Sequence, residues 1–157
     1  MKTAYYPTPF GCVAIGCEDE AVVYLKRVRE QPTPHEPTPL SEEVYRQLCA
    51  YFTGERQAFD FPCRPKGTPF QQAVWQALMT IPYGEVRTYS DIARQIGHPS
   101  ACRAVGSANR QNPIWLAIPC HRCVGKNGTL TGYAGGLAMK EALLALESKF
   151  YHNQEGK

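Results

Sequence analysis

The segment that most constrains the fold is the apolar run at residues 114–118, which is followed by Pro119 and Cys120. Five apolar residues are too few for a helix of typical length, so the run predicts a buried extended segment. Proline biases the preceding residue toward extended geometry and cannot donate a backbone hydrogen bond. We therefore expect the chain to leave the core abruptly at Cys120, with a thiol at the end of a rigid element.

His121 follows Cys120 directly and pairs the thiol with a base. An imidazole accepts a proton near neutral pH, and the thiolate is the nucleophilic form of cysteine. Neighbouring side chains of an extended segment point to opposite faces, so we expect a water molecule to bridge the two. The glycines that follow let the backbone approach a flat ligand closely. They are residues 125, 128, 132, 135 and 136. The alternative is a buried thiol beside a surface imidazole.

The length and composition of the chain exclude several classes of protein. The 157 residues make one domain or two small ones. No apolar run approaches the roughly 18 residues of a membrane span, and the N-terminus lacks a secretory signal. We therefore expect a cytoplasmic protein without a membrane partner. Seven cysteines, an odd number, favour free thiols in such a compartment. The net charge of +3 permits a local nucleic-acid surface.

The pattern of residues 1–64 predicts a small α/β domain. Alternation over residues 3–28 predicts two or three antiparallel strands, and residues 41–52 predict one helix. Between them, residues 31–39 contain four prolines and predict an extended connection. A zinc site is an alternative use of this half, but no pair of its candidate ligands has the usual close spacing, so we expect no metal. The candidates are Cys12, Cys17, Cys49, Cys63 and His35.

Residues 65–157 predict a helical domain. Thr68 and Gln71 form a capping box around Pro69, which is a specific signal for the start of a helix. Residues 88–97 and 100–110 predict two short helices joined by a turn, the outline of a helix-turn-helix. A last helix at residues 137–147 places Glu147 on the same face as its leucines.

The predicted helix at residues 100–110 is made of small side chains with one long cation near its start, Arg103. A helix that reads base edges in the major groove needs several side chains that reach outward. Small side chains instead let the backbone approach a narrow minor groove. The alternative is a helix packed on a neighbour through its alanines, which leaves Arg103 unexplained.

Several motifs together resemble the O6-alkylguanine-DNA alkyltransferases, which repair DNA by direct reversal. The resemblance covers residues 68–147 with motifs in the right order and spacing. They are Ile118-Pro-Cys-His-Arg122, Arg103-Ala-Val-Gly106, Asn112-Pro113, Pro82-Tyr-Gly-Glu-Val86 with Tyr89, and Gly132-Tyr-Ala-Gly-Gly-Leu137 with Lys140, Glu141 and Glu147. It implies an α+β protein with a ribonuclease H-like N-terminal domain and a helix-turn-helix catalytic domain.

The resemblance also implies a reaction and a set of roles. One alkyl group would pass from O6-alkylguanine, or O4-alkylthymine, in double-stranded DNA to Cys120, without a cofactor, in a protein we expect to be a monomer. His121 would activate Cys120 through a water, Glu147 would hold His121, and Asn112 would brace the turn. The implied substrate contacts are Tyr89, Cys123, Tyr133, Ala134 and Trp115, with the Cys120 carbonyl; the implied DNA contacts are Arg103, Tyr89, Ala101, Ala104, Gly106 and Arg110.

Three rival functions are open at this stage. Cys120 and Cys123 are spaced as in a thiol-disulfide oxidoreductase, but turn residues follow where that motif needs a helix. A DNA-binding regulator would use the helix-turn-helix alone and would need sequence-specific contacts. A damage sensor would bind alkylated DNA without a nucleophile, whereas this chain has Cys120. Cys123 and Trp115 depart from the family's usual residues.

Overall fold

The computed structural model describes residues 1–30, 34–130 and 136–155. The chain divides into two compact units. Unit 1 comprises residues 1–66 with residues 113–115, and unit 2 comprises residues 67–112 with residues 116–157. Strands and helices are mixed, as expected for an α+β protein. The division into independent domains at residues 64 and 65 stays a prediction. In the part of the chain described, no helix has the length and apolar character needed to cross a membrane.

Unit 1 is an antiparallel sheet with one helix. The strands β1 (Lys2–Thr8), β2 (Gly11–Glu18) and β3 (Ala21–Arg27) pair in sequence order, which confirms the strand prediction. Helix α1 (Pro39–Phe52) begins after a capping box at Thr38 and buries Val44, Leu48 and Tyr51 completely. The predicted proline-rich connection lies partly outside the described residues.

In its described residues, unit 2 contains four α-helices and two very short strands, besides two single turns of 3₁₀ helix. They are α2 (Pro69–Leu78), β4 (Arg87–Thr88), α3 (Tyr89–Gln95), α4 (Cys102–Arg110), β5 (Cys123–Val124) and α5 (Leu137–Glu155). The predicted capping box opens α2, where the Thr68 and Gln71 side chains each bond to the other's backbone. The indole Nε1 of Trp75 donates to the Ala108 carbonyl at 2.9 Å and fastens α2 to α4. β4 and β5 pair in parallel.

The apolar run at residues 114–118 is buried, but the prediction of one extended segment is wrong. Its first part lies beside β3, since Leu25 N donates to Pro113 O at 2.9 Å and Trp115 N donates to Leu25 O at 2.8 Å. The chain then turns at Leu116, whose φ of 70° lies in the left-handed region that bulky residues avoid. Residues 113–115 belong to unit 1, and the residues from Leu116 onward belong to unit 2.

Trp115 is part of the aromatic packing of unit 1. Its ring lies 6.1 Å from the Phe10 ring, edge-on, and 6.2 Å from the Phe52 ring, measured between centroids. Only 8% of the residue is exposed. Its predicted role in the substrate pocket stays a prediction, whereas these contacts give it a packing role.

Replacement of Trp115 should therefore change stability. Trp115→Ala is expected to lower the free energy of unfolding by about 3–5 kcal/mol, the usual cost of removing a buried indole. Trp115→Phe should cost less because it keeps an aromatic ring against Phe10 and Phe52. Urea unfolding of the three proteins measures both values. Equal stability of the alanine variant and the parent would contradict the packing role.

Candidate active site

Cys120 lies in a single turn of 3₁₀ helix, Cys120–Arg122, and does not leave the core as the sequence predicts. Cys120 is 5% exposed, His121 is fully buried and Arg122 is 8% exposed. The Cys123 N–H donates to the Cys120 carbonyl and closes the turn. The prediction of an abrupt exit was wrong because backbone groups of this turn find hydrogen-bond partners within the turn and at the Asn109 side chain, so the turn can stay buried.

The Asn112 side chain holds the sulfur of Cys120. Its Nδ2 donates to the Ile118 carbonyl at 2.7 Å and also lies 3.2 Å from Cys120 Sγ. An N–H directed at sulfur favours the charged thiolate over the neutral thiol. Asn112 thus links the Cys120 sulfur to the Ile118 carbonyl.

Glu147 is the centre of a buried cluster of charged and polar groups. Its Oε2 lies 2.7 Å from His121 Nε2 and accepts from Arg122 Nη2 at 2.9 Å. Its Oε1 accepts from Arg122 Nε at 2.8 Å. The remaining Arg122 Nη1 donates to the Ile81 carbonyl at 2.8 Å. A bidentate pair of this kind fixes the geometry of both side chains.

The electrostatics of the cluster set the ionisation of its members. Burial alone would raise the pKa of the Glu147 carboxyl, but hydrogen bonds and charges from His121 and Arg122 outweigh burial and lower the pKa to about 2. Burial lowers the pKa of His121, and the charges of Arg122 and Lys140 act in the same direction, while Glu147 opposes them. We conclude that Glu147 is ionised and His121 is neutral near neutral pH.

A neutral His121 beside an ionised Glu147 has a defined tautomer. The carboxylate can only accept, so His121 Nε2 carries the proton, and this assignment follows from the hydrogen-bond network. Nδ1 then presents a lone pair. Nδ1 is buried and has no hydrogen-bond partner among the described residues. The second nitrogen of the ring is therefore a proton acceptor.

Two further buried groups belong to the same unit. Lys140 is completely buried. Burial lowers the pKa of its ammonium group, while the Cys123 and Cys120 thiols act in the opposite direction and raise that pKa. Its Nζ lies 5.7 Å from the centroid of the Tyr89 ring. Burial raises the pKa of the Cys123 thiol to about 12. A thiol this basic and this enclosed is a poor candidate for disulfide exchange, which argues against an oxidoreductase.

The structure brings together four of the predicted site residues, namely Cys120, His121, Glu147 and Asn112. The predicted DNA contacts lie on or beside α3 and α4, where Arg103, Ala104 and Arg110 are exposed and Ala101, Gly106 and Tyr89 are partly buried. Tyr133 and Ala134 lie outside the described residues. Within the described residues, no group of three or more histidine, cysteine or acidic side chains could hold a metal ion.

Three residues of the site were not assigned roles from the sequence. Arg122 and Lys140 are charged side chains that pack inside unit 2, and Asn109 is buried on α4 beside Cys120. Lys140 precedes Glu147 by seven residues, two helical turns, so both lie on one face of α5. That spacing in the sequence could have indicated Lys140 as a residue of the site. The burial of Arg122 can be recognised only from the folded structure.

A buried thiol that accepts from an amide and is followed in the sequence by a neutral histidine held by a carboxylate is the arrangement of a cysteine nucleophile. The site and the mixed α+β fold thus indicate a class of protein that acts through a cysteine thiol, here that of Cys120. Residues 69–149 match the sequence family described as "6-O-methylguanine DNA methyltransferase, DNA binding domain". The chain belongs to this family, that of the methylated-DNA--protein-cysteine methyltransferases.

Known relatives resemble the chain over nearly its whole length. It is 46% identical to a methylated-DNA--protein-cysteine methyltransferase of Methanosarcina acetivorans, over 94% of this chain and 98% of the relative. It is 47% identical to a constitutive enzyme of that name from Bacillus subtilis, over 92% and 93% of the two chains. A crystal structure of Mycobacterium tuberculosis OGT in complex with DNA superposes with a TM-score of 0.88 at 43% identity, covering 96% of this chain and 94% of that one.

Neutralising Glu147 tests the charged cluster. Glu147→Gln should lower the free energy of unfolding by about 3–5 kcal/mol because it leaves the Arg122 guanidinium buried without its counter-charge. The pKa of Glu147 is lower in the folded than in the unfolded chain, so the folded state binds fewer protons. The parent should therefore lose this stabilisation as the pH falls from the ordinary value of 4.5 to about 2.

Chemical unfolding at several pH values measures both effects. Leu144→Ala is a suitable control, since it changes the same helix without removing a charge. As the pH falls from 4.5 to about 2, the difference in free energy of unfolding between the parent and Glu147→Gln should shrink. A difference that stays constant with pH would show that the carboxylate is not ionised in the folded protein.

Proposed function

We propose that the protein repairs alkylated DNA by transferring one alkyl group from O6 of guanine to Cys120. The observation that carries this proposal is the chain of contacts from Asn112 to Cys120 and from Glu147 to His121, in a chain that belongs to the methyltransferase family. Relatives with this name support the same reaction, and a DNA complex of the Mycobacterium tuberculosis relative supports DNA as the partner.

The proposed reaction is a displacement at the alkyl carbon. A water would pass the thiol proton of Cys120 to His121 Nδ1, and Glu147 stabilises the imidazolium that forms. The thiolate then attacks the alkyl carbon, the S–C bond forms as the C–O6 bond breaks, and the electron pair of that bond goes to O6 of guanine. The thioether is stable and no group of the site removes the alkyl, so each molecule reacts once. The reaction needs no cofactor.

We infer that α3 and α4 form the helix-turn-helix that contacts DNA. α4 supports a minor-groove role because Ala104 is exposed and Gly106 is partly buried, and a side-chain carbon added at Gly106 would come no closer than 4.0 Å to Arg110. At Ala104 and Gly106, α4 therefore offers the minor groove a surface without long side chains. An alkyl group on O6 lies inside the duplex, so the nucleotide must rotate outward before Cys120 can reach it. Arg103 would then fill the space in the base stack.

The remaining predicted roles belong to the same proposal. Tyr89 would crowd the target phosphate and donate to guanine N3, and the Ala134 amide would donate to O6. Tyr133 would line the pocket, and the carbonyls of Cys120 and Cys123 would accept from the guanine amino group. Unit 1 would be ribonuclease H-like, the protein would act as a monomer in the cytoplasm, and O4-alkylthymine would be a second substrate. A regulator that only binds DNA is disfavoured because it would not need the buried cluster at Cys120.

Loss of the thiol should separate binding from transfer. Cys120→Ser is expected to bind the duplex but to accept no methyl group, because a serine hydroxyl is a far poorer nucleophile at neutral pH. Cys123→Val is the matched control and should still react, since Cys123 is fully buried and its thiol has a raised pKa. Intact mass after mixing with O6-methylguanine duplex should rise by one CH₂ group only in the parent and the control.

Transfer that depends on Cys123 and survives loss of Cys120 would overturn the assignment. A fragment mass spectrum of the alkylated protein locates the added group.

Arg103 should matter only when a base must leave a duplex. Arg103→Ala is expected to slow repair of a duplex by roughly tenfold or more, because the vacated stack is no longer filled. Its reaction with free O6-alkylguanine base should be close to that of the parent. Arg110→Ala, on the same helix, should instead weaken binding in a salt-dependent way if it meets phosphates. Single-turnover rates on both substrates measure the contrast, and equal slowing on both would rule out the flipping role.

A further inference from the structure

Cys123 carries a thiol that the proposed reaction does not use. In that reaction its only role belongs to the backbone carbonyl, and the side chain is fully buried. The residue follows directly on the single turn of 3₁₀ helix that begins at Cys120. The turn therefore holds two thiols three positions apart, and one of them is the proposed nucleophile.

The 3₁₀ turn brings the two cysteines to one face. Its closing hydrogen bond runs from the Cys123 N–H to the Cys120 carbonyl, which is an i to i+3 contact. Side chains at i and i+3 of a 3₁₀ helix eclipse, and a rise of about 2 Å per residue separates their Cα atoms by about 6 Å. Disulfide-bonded cysteines have Cα atoms about 4.4–6.8 Å apart. The backbone of the turn already has the spacing of a disulfide between Cys120 and Cys123.

The electrostatics of the turn agree with two neighbouring sulfur atoms. The charge of Lys140 lowers the pKa of the Cys123 thiol, and Cys120 raises it. Both thiols in turn raise the pKa of Lys140. Because such effects weaken with distance, the two sulfur atoms and the buried ammonium group lie near one another.

The two thiols differ in what can reach them and in how readily they ionise. The thiolate is the form that hydroperoxides oxidise. The Asn112 amide, 3.2 Å from the sulfur of Cys120, favours the thiolate there, whereas burial raises the pKa of Cys123 to about 12. Cys120 is 5% exposed and Cys123 is fully buried. A small oxidant therefore reacts first with Cys120, and the thiol beside the oxidised sulfur is that of Cys123.

We propose that Cys123 is a resolving cysteine, which forms a disulfide with Cys120 after a hydroperoxide has oxidised the nucleophile. The Cys120 thiolate attacks one oxygen of the hydroperoxide. The S–O bond forms as the O–O bond breaks, and the other oxygen leaves as water or an alcohol with the proton that Cys120 gave up. The sulfur of Cys123 then attacks the sulfenic sulfur of Cys120. The S–S bond forms as the S–O bond breaks, and hydroxide leaves as water with the thiol proton of Cys123.

Proximity makes Cys123 effective in this step in spite of its raised pKa. The attack is intramolecular, between side chains of one turn, and well-placed groups in one molecule react at high effective concentration. Exchange with an external disulfide lacks both this proximity and access to the buried thiol. The disulfide removes the nucleophile reversibly and protects it from oxidation to sulfinic and sulfonic acids, which thiols do not reduce.

The experiment is brief treatment of the full chain with hydrogen peroxide, removal of the peroxide with catalase, and mass mapping. In the parent, the peptide that contains Cys120 and Cys123 is expected to lose two hydrogen atoms. Unfolding with dithiothreitol should restore the original mass of this peptide. Methyl transfer from O6-methylguanine duplex, compared with the untreated sample, should fall in proportion to the fraction of disulfide.

Cys123→Val is the matched variant, because valine fills a similar buried volume without a thiol. Its peptide should instead gain two or three oxygen atoms that dithiothreitol does not remove. Cys123→Ser should behave in the same way and serves if the valine variant does not fold. In Cys120→Ser the peptide should keep its mass, since the remaining thiol of Cys123 is enclosed and protonated.

Three results would overturn the inference. They are a parent peptide that gains oxygen as the Cys123 variants do, a parent peptide that peroxide leaves unchanged, and a disulfide that joins Cys120 to a cysteine other than Cys123. The mass change needs no DNA, so it is independent of the proposed function. A disulfide in a protein whose untreated form accepts no methyl group would refute the proposed function and leave the inference standing.

Discussion

The arrangement of the site depends on one buried carboxylate, that of Glu147. It bonds both to His121 and to Arg122, and Arg122 also donates to the Ile81 carbonyl beyond the end of α2. One side chain of α5 therefore fixes the turn that carries Cys120 and the tautomer of the neighbouring base. A buried carboxylate is tolerated only when its lone pairs are satisfied, and the guanidinium and imidazole supply those donors.

Two asparagines connect α4 to the thiol. Asn109, near the C-terminal end of the helix, contacts the Cys120 carbonyl, and Asn112, just past its end, contacts the sulfur. The helix that we propose to lie against DNA is therefore joined by side-chain hydrogen bonds to the residue that reacts. A movement of α4 would therefore move the amides that contact Cys120, and the proposed DNA contact predicts a link between DNA binding and the position of the thiol.

Local signals in the sequence predicted most of the helices and strands. The capping box at Thr68 and the alternation of residues 3–28 describe short-range interactions, which a sequence displays directly. The turn at Leu116 and the burial of the Cys120 turn could not be predicted, because each depends on partners distant in the chain, such as Leu25 and Glu147. The pairing of His121 with Glu147 came from family resemblance, whereas Asn109 had no sequence signal beyond a polar residue among apolar ones.

The central claim is that burial keeps His121 neutral while Glu147 holds its proton on Nε2, which leaves a lone pair on Nδ1. Nitrogen-15 NMR of the imidazole ring of His121 tests this directly at neutral pH. The account predicts a protonated Nε2 coupled to its hydrogen and an unprotonated Nδ1. An imidazolium with both nitrogens protonated, or a neutral ring with the proton on Nδ1, would contradict it, since neither form could take the proton of Cys120 through Nδ1.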